Sequence, residues 1–362
     1  MSDARRYPGM RDVPLRHRGM FSTVFFLQHW FPRSQALSAQ KEAIGKRIVE
    51  HVRSGGKGRV VPIERRRDLS PREFRQEYLR RGIPVILEGA GRDWKCTREW
   101  TFDNFRRRFG AETIKLVQRK GVAADDEVID AREFSEEIVF SAFLDQVLGG
   151  GGKYMRFSPL LEQFPELLDD FDQQFLQGMP GNNWGTTYQL FIGGSGTFTP
   201  LHNAITPFFF VNICGVKRWQ FIPNTYLAVL DPLPEGLTYN WTSADVGMTN
   251  LDRYPGFDSI DRMEAEMQPG DILYNPSWMW HCAENASPTI GVRCGFVYPY
   301  GMLREAFTLT AVRAFAGNPS MLKTAWYSFV KTNLPERDTL LVTPKVFTKQ
   351  APGRAGQKAN GG

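Results

Sequence analysis

The chain is poor in the residues from which most metal and redox sites are built. Its 362 residues include five histidines and four cysteines, so histidine chemistry can draw only on His17, His29, His51, His202 and His281. The cysteines, Cys96, Cys214, Cys282 and Cys294, lie far apart and form no Cys-x-x-Cys pair, which excludes a zinc ribbon and a thioredoxin-type site. Their apolar neighbours predict free buried thiols in a reducing compartment. No apolar run approaches the roughly 20 residues of a membrane helix. Residues 21–27 are interrupted by Ser22 and Thr23 and lack a cleavage site, which argues against a signal peptide and for a cytoplasmic setting. Neither a collagen-like or heptad pattern nor a solenoid or propeller period recurs.

What is present is an ordinary globular composition, 42% hydrophobic and 23% charged, enough apolar surface for a core and too much for global disorder. The net charge of +6 belongs to the ends. Residues 1–60 carry 12 Lys+Arg against 4 Asp+Glu, and residues 301–362 carry 9 against 3, so the middle is acidic. With no interleaved aromatics or known motif, the basic ends do not indicate nucleic acid. Three regions follow: a basic arm and helix over 1–60, a main domain over 61–300, and a helical segment and tail over 301–362. Residues 1–18 read as a mobile arm, and the aromatic patch of 21–30 as a surface that docks on the core or touches a membrane surface, docking being preferred.

Helical spacing is clear over 38–52, stopped by Ser54-Gly55-Gly56. Ser70-Pro71-Arg72-Glu73 reads as an N-cap followed by a first-turn proline and acid. Residues 134–148 and 302–316 read as helices, and so do 321–332. From Trp184 the pattern changes to short strands, best defined at 187–192, 208–213, 217–222, 272–275 and 290–298. Many short aromatic strands without alternating helices indicate a mostly β core with α flanks, an antiparallel barrel or double-sheet jelly roll.

Two histidines fall at strand ends inside that region, His202 in Thr199-Pro200-Leu201-His202-Asn203-Ala204 and His281 in Trp278-Met279-Trp280-His281. Imidazoles on neighbouring strands can converge on one interior point and suit a late first-row metal, although two backbone-bonded core histidines would read the same way. Together with Gly215-Val216-Lys217-Arg218-Trp219, Pro269-Gly270-Asp271-Ile272-Leu273 and the upstream Pro84-Val85-Ile86-Leu87, Trp94 and Trp100, these blocks resemble the JmjC/cupin-8 branch of the Fe(II)/2-oxoglutarate dioxygenases. The resemblance covers residues 62–300. It implies a double-stranded β-helix, iron held by His202 and His281, and 2-oxoglutarate gripped by Lys217 with help from Thr199 and Tyr154. Arg293 falls beside the metal, as a second anion clamp or an ion-pair partner. Asn203, Trp278 and Trp280 are candidates for the substrate mouth, whereas Phe208, Phe209 and Phe210 read as barrel core. The substrate is a protein side chain or a small molecule, and the C-terminal helices offer a face for a homodimer.

The family's His-x-Asp/Glu carboxylate is missing, because Ala204 stands two residues after His202. Three readings follow. In the first, chloride takes the vacated position, as in halogenases that carry the same loss. In the second, a carboxylate from Asp231, Glu284 or the substrate completes the site and the protein hydroxylates. In the third, the barrel is a catalytically inactive binding module.

Overall fold

In the computed structural model, which describes residues 7, 10–31, 33–116, 136–158, 160–181, 186–232 and 239–316, the strands in chain order are β1 (Val60–Pro62), β2 (Arg65–Arg66), β3 (Val85–Leu87), β4 (Thr113–Leu116), β5 (Glu136–Val139), β6 (Tyr154–Ser158), β7 (Thr187–Gly193), β8 (Phe198–Ala204), β9 (Phe208–Cys214), β10 (Lys217–Ile222), β11 (Tyr239–Trp241), β12 (Arg262–Met267), β13 (Ile272–Asn275), β14 (Trp280–Asn285) and β15 (Thr289–Gly295). One sheet has the order β1-β12-β10-β14-β8-β11, and a second has the order β2-β3-β13-β9-β15-β7-β6. Within them only β1 with β12 and β2 with β3 run parallel. This is the double-sheet jelly roll with helical flanks that the strand pattern predicts.

β9 shows why the core strands read as mostly apolar, Asn212 being its one buried polar residue. Its Phe209, Val211 and Ile213 face one apolar cluster and its Phe208 and Phe210 another, so both faces are buried and apolar except at Asn212, whose Nδ2 donates to the Gly215 carbonyl oxygen at 2.8 Å. Gly215 closes the turn from β9 to β10 at φ +75°, where a Cβ would stand 2.0 Å from the Pro288 carbonyl oxygen. Only glycine fits there.

Two helices, α1 (Leu15–Trp30) and α2 (Gln35–Ser54), cover one end. Phe21, Val24 and Phe25 bury against a cluster that holds Ile44, Ile48 and Val52 together with Trp278, Trp280, Met302 and Leu309. The patch of 21–30 therefore docks on the core through Phe21, Val24 and Phe25, while Leu27 and Trp30 are exposed. The mobile-arm reading of 1–18 is corrected over its described part. Met10 and Val13 are buried, and the Arg11 backbone N–H donates to the buried Asp261 carboxylate at 2.6 Å, which Arg59 also holds at 2.8 Å. Burial alone would raise the Asp261 pKa, but these donors outweigh it and hold it down at about 2. A buried carboxylate needs such partners, and the arm supplies one of them.

The helix read over 134–148 is shorter than expected. Phe140–Leu148 is helical, while Glu136–Val139 pairs with β4 as a strand. The C-terminal face of Pro299–Glu305 and Phe307–Ala316 packs on its own chain through Met302 and Leu309, and Trp278 Nε1 donates to Thr310 Oγ1 at 2.9 Å. The helix read over 321–332 lies outside the described residues. Among the described residues no helix is long and apolar enough to cross a membrane.

Candidate metal centre

The site lies between the sheets. β14 pairs with both β10 and β8, setting Lys217 opposite Asn285, Phe221 opposite His281, and His281 opposite His202. Strand alternation then turns His281, Ala283 and Asn285 inward together. Thr199 and His202 are an odd number of residues apart, so a regular strand would turn them to opposite faces. A register shift between β14 and β8 at this point inserts one extra residue on β8, and both line the cavity. Ala204, two residues on, lines it as well.

The two imidazoles are buried, with ring centroids 4.2 Å apart. His202 Nδ1 lies 2.8 Å from the Pro200 carbonyl oxygen and His281 Nδ1 2.9 Å from that of Met279. A carbonyl only accepts, so each Nδ1 carries the proton and each Nε2 keeps its lone pair, the tautomer a metal needs. Burial pushes His202 well below its usual pKa, aided by His281 and by the cations Arg156 and Arg293. Burial and Arg293 similarly push His281 down to about 4, against the hydrogen bond to Met279.

Since His281 falls from 6.5 unfolded to about 4 folded, between those values the unfolded chain binds a proton that the folded chain refuses. Metal-free protein is therefore expected to lose stability as pH falls from 7 to 4, by about 3 kcal/mol from this residue alone, with His202 acting in the same direction. Urea midpoints across that range should show the loss, and His281→Gln should flatten it. An unchanged slope in the variant would contradict the assignment.

Lys217, which is 1% exposed, donates from Nζ to Asn285 Oδ1 at 2.6 Å and to the Tyr154 hydroxyl at 3.2 Å. The faces of Tyr154, Phe210 and Trp219 stand 5.3–5.8 Å from its Nζ. These hydrogen-bond partners are neutral, so the ammonium charge is left for a ligand. Thr199 Oγ1 donates to the Tyr154 hydroxyl at 3.4 Å. Burial would raise the Tyr154 pKa, but Lys217, Thr199 and Arg156 together lower it. Asn285 also accepts from Thr289 Oγ1 and donates to Thr197 Oγ1, both at 2.8 Å. A Cβ at Gly193 would sit 2.2 Å from Asn285 Nδ2, so glycine there leaves room for this network. Arg293 donates to Thr206 Oγ1 at 2.9 Å and Gln189 Oε1 at 3.3 Å, its guanidinium 4.7 Å from the centroid of the Phe208 ring.

Among the sequence-predicted residues, the structure brings His202, His281, Lys217, Thr199, Tyr154, Arg293 and Ala204 to one cavity. The mouth residues are corrected. Trp278 has φ +60°, and its indole points to Thr310. Trp280 Nε1 donates to Asn224 Oδ1 at 3.1 Å, on the strand face opposite His281. Asn203 is fully buried, its Nδ2 donating towards the Trp278 carbonyl oxygen at 3.4 Å. Phe208 and Phe210 line the cavity, whereas Phe209 is core. Neither suggested carboxylate reaches the site. Asp231 is exposed and pairs with Lys41 at 2.8 Å, and Glu284 is exposed on the outward face of β14. No Asp or Glu is among the described lining residues, and among the described residues no group of three His, Cys, Asp or Glu is placed to hold a metal. Sequence reasoning missed Asn285 and Arg156, although each shares the face of a recognised residue, four after His281 and two after Tyr154.

The sequence profile of the cupin-like domain family matches residues 71–297. The chain belongs to the cupin-like domain family. Within it, this cupin-like chain sits in the JmjC branch of the Fe(II)/2-oxoglutarate oxygenases. It is 27% identical over 256 residues to the lysine-specific demethylase JMJ21 of Arabidopsis thaliana, covering 65% of this chain and 25% of that protein. It is 28% identical over 211 residues to the lysine-specific demethylase 8 of Xenopus tropicalis, covering 58% and 46%. A bifunctional arginine demethylase and lysyl-hydroxylase of Caenorhabditis briggsae, psr-1, is 23% identical over 302 residues, covering 76% and 70%. The cupin-like chain thus spans less than half the length of the two lysine-specific demethylases.

Proposed function

We propose that this cupin-like protein is a Fe(II)/2-oxoglutarate-dependent oxygenase, with the metal on His202 and His281 and the cosubstrate on Lys217, Thr199, Tyr154 and Arg293. The observation that carries the reading is the buried pair of neutral imidazoles, each with Nδ1–H tied to a backbone carbonyl, beside a buried lysine whose hydrogen-bond partners are neutral. Nitrogen donors suit iron, and a buried cation suits a carboxylate. Bound there, Fe(II) and 2-oxoglutarate supply dioxygen activation for oxidising a substrate C–H bond. The chain's own part is to hold the imidazoles in the ligating tautomer, grip the distal carboxylate and surround both with Phe208, Phe210 and Trp219, which exclude water.

Ala204 distinguishes two outcomes of that chemistry. With no acid among the described lining residues, the third position falls to chloride, giving halogenation, or to the substrate, giving hydroxylation. The same absence favours a second reading, a catalytically inactive binding module that keeps the cosubstrate pocket. Anaerobic addition of Fe(II) and 2-oxoglutarate is expected to give a visible metal-to-ligand charge-transfer band that His202→Ala abolishes. No band in the unmodified protein would sink the enzyme reading and leave the module.

A further inference from the structure

α1 is apolar on two faces, and the core covers one of them. Phe21, Val24 and Phe25 are buried, in one cluster with Ile44, Ile48 and Val52 of α2. Arg16, Met20, Thr23, Leu27 and Trp30 recur at alternating steps of four and three residues, so they share a second face. On and beside that face Met20 is 41%, Leu27 37%, Trp30 50% and Phe31 61% exposed. The Phe26 ring meets that of Trp30 edge-on, with centroids 6.4 Å apart. A helix apolar all round is normally buried all round. Single exposed apolar side chains are ordinary, but a run of them along one helix forms a patch of the kind that marks an interaction site.

The surroundings of the patch are basic. From Val13 to Lys41 the chain carries Arg16, Arg18, Arg33 and Lys41 and no acid. Arg18 and Lys41 are engaged with Asp12 and Asp231. Arg16, on the exposed face, and Arg33, just past it, are exposed and form no ion pair among the described residues. Helix stability does not account for Arg16, because α1 has no acid in its first turn and a cation there opposes the helix dipole.

We propose that this face of α1 seats the protein on an anionic lipid surface. Met20, Leu27, Trp30 and Phe31 enter the headgroup boundary, and Arg16 and Arg33 meet the lipid anions. Tryptophan suits that boundary because its ring is apolar and its N–H polar. Charge decides between a membrane and a second copy of the chain. An isologous contact would bring the arginines of both copies to one interface, with no acid of the segment to meet them. An anionic bilayer supplies the opposite charge. The buried face stays docked throughout, and the metal centre takes no part.

The test incubates the full chain with vesicles of phosphatidylserine and phosphatidylcholine in equal parts, and with vesicles of phosphatidylcholine alone, and reads bound protein by sedimentation. The chain is expected to bind the mixed vesicles at least about tenfold more tightly than phosphatidylcholine alone, and to be released as salt rises. Leu27→Gln/Phe31→Gln and, separately, Arg16→Gln/Arg33→Gln should each weaken binding by about tenfold or more. Arg16→Lys/Arg33→Lys should keep most of it, since an anionic surface reads charge and not the planar fork of a guanidinium. All four side chains are exposed, and thermal unfolding of each variant checks that the fold is kept. No partitioning of the unmodified chain, equal partitioning onto both kinds of vesicle, or undiminished binding by either glutamine variant would overturn the proposal. So would a dimer in analytical ultracentrifugation that Leu27→Gln/Phe31→Gln dissociates, because the face would then belong to a second copy.

Discussion

Lys217→Met is expected to weaken 2-oxoglutarate binding by about 10²–10³-fold while leaving the fold as stable as before, or more so. Lys217 is almost wholly buried, and folding strips its ammonium of water in return for Asn285 Oδ1 at 2.6 Å and the Tyr154 hydroxyl at 3.2 Å. Methionine has a similar length and no charge to dehydrate, and replacing buried charge by apolar volume is often neutral or stabilising. The groups left behind keep partners, because Asn285 Oδ1 still accepts from Thr289 and the Tyr154 hydroxyl from Thr199. The ligand fares differently. Without the ammonium, its distal carboxylate keeps only the Thr199 and Tyr154 hydroxyls and loses its opposite charge, a loss of roughly 3–5 kcal/mol, and each 1.4 kcal/mol is about tenfold in affinity. Calorimetric titration and urea unfolding of the same variant should therefore move in opposite directions. Unchanged affinity would show that the ammonium is not the grip on the cosubstrate.

Ala204→Asp is expected to tighten divalent metal binding by about 10–100-fold or more, since even outer-shell partners of metal ligands are worth that much. Ala204 is buried, lines the cavity, and follows His202 by two residues on one strand face. A carboxylate there is placed to become a third ligand. It would not be an isolated buried charge, because Arg156 and Arg293 line the same cavity. The variant is also expected to abolish any tightening of cosubstrate binding by chloride, since ligand and halide would compete for one position. Mn(II) titration followed by electron paramagnetic resonance reads the first effect. If metal affinity does not rise, residue 204 does not face the metal, and if chloride leaves the iron spectrum of the unmodified protein untouched, halogenation is to be abandoned.

The parts of this site that were legible in the sequence are those set by local pattern. His202 and His281 stood out because only five histidines exist and two fall at strand ends. Lys217 read as inward because Trp219 and Phe221 follow it at the period of a strand, and β10 keeps that period. The aromatic run of 208–213 announced a strand, which the structure has as β9. The Ser70 cap was legible for the same reason, and Ser70 Oγ accepts from the Glu73 N–H at 3.3 Å.

Strand pattern and the family resemblance together thus carried the β class, the histidine pair, the inward lysine and the alanine at 204 in place of a carboxylate. Tertiary structure alone decided which side chains meet. The register of β14 against β10 sets Asn285 opposite Lys217, and the bulge in β8 lets Thr199 and His202 share a face. The backbone turn at Trp278 sends its indole to the outer core. The positions of Asp231 and Glu284 leave the cavity without an acid among its described lining residues. Register and bulges arise from pairing between strands far apart in the chain, and a one-residue slip reverses every side chain. Local periodicity carries no record of that choice.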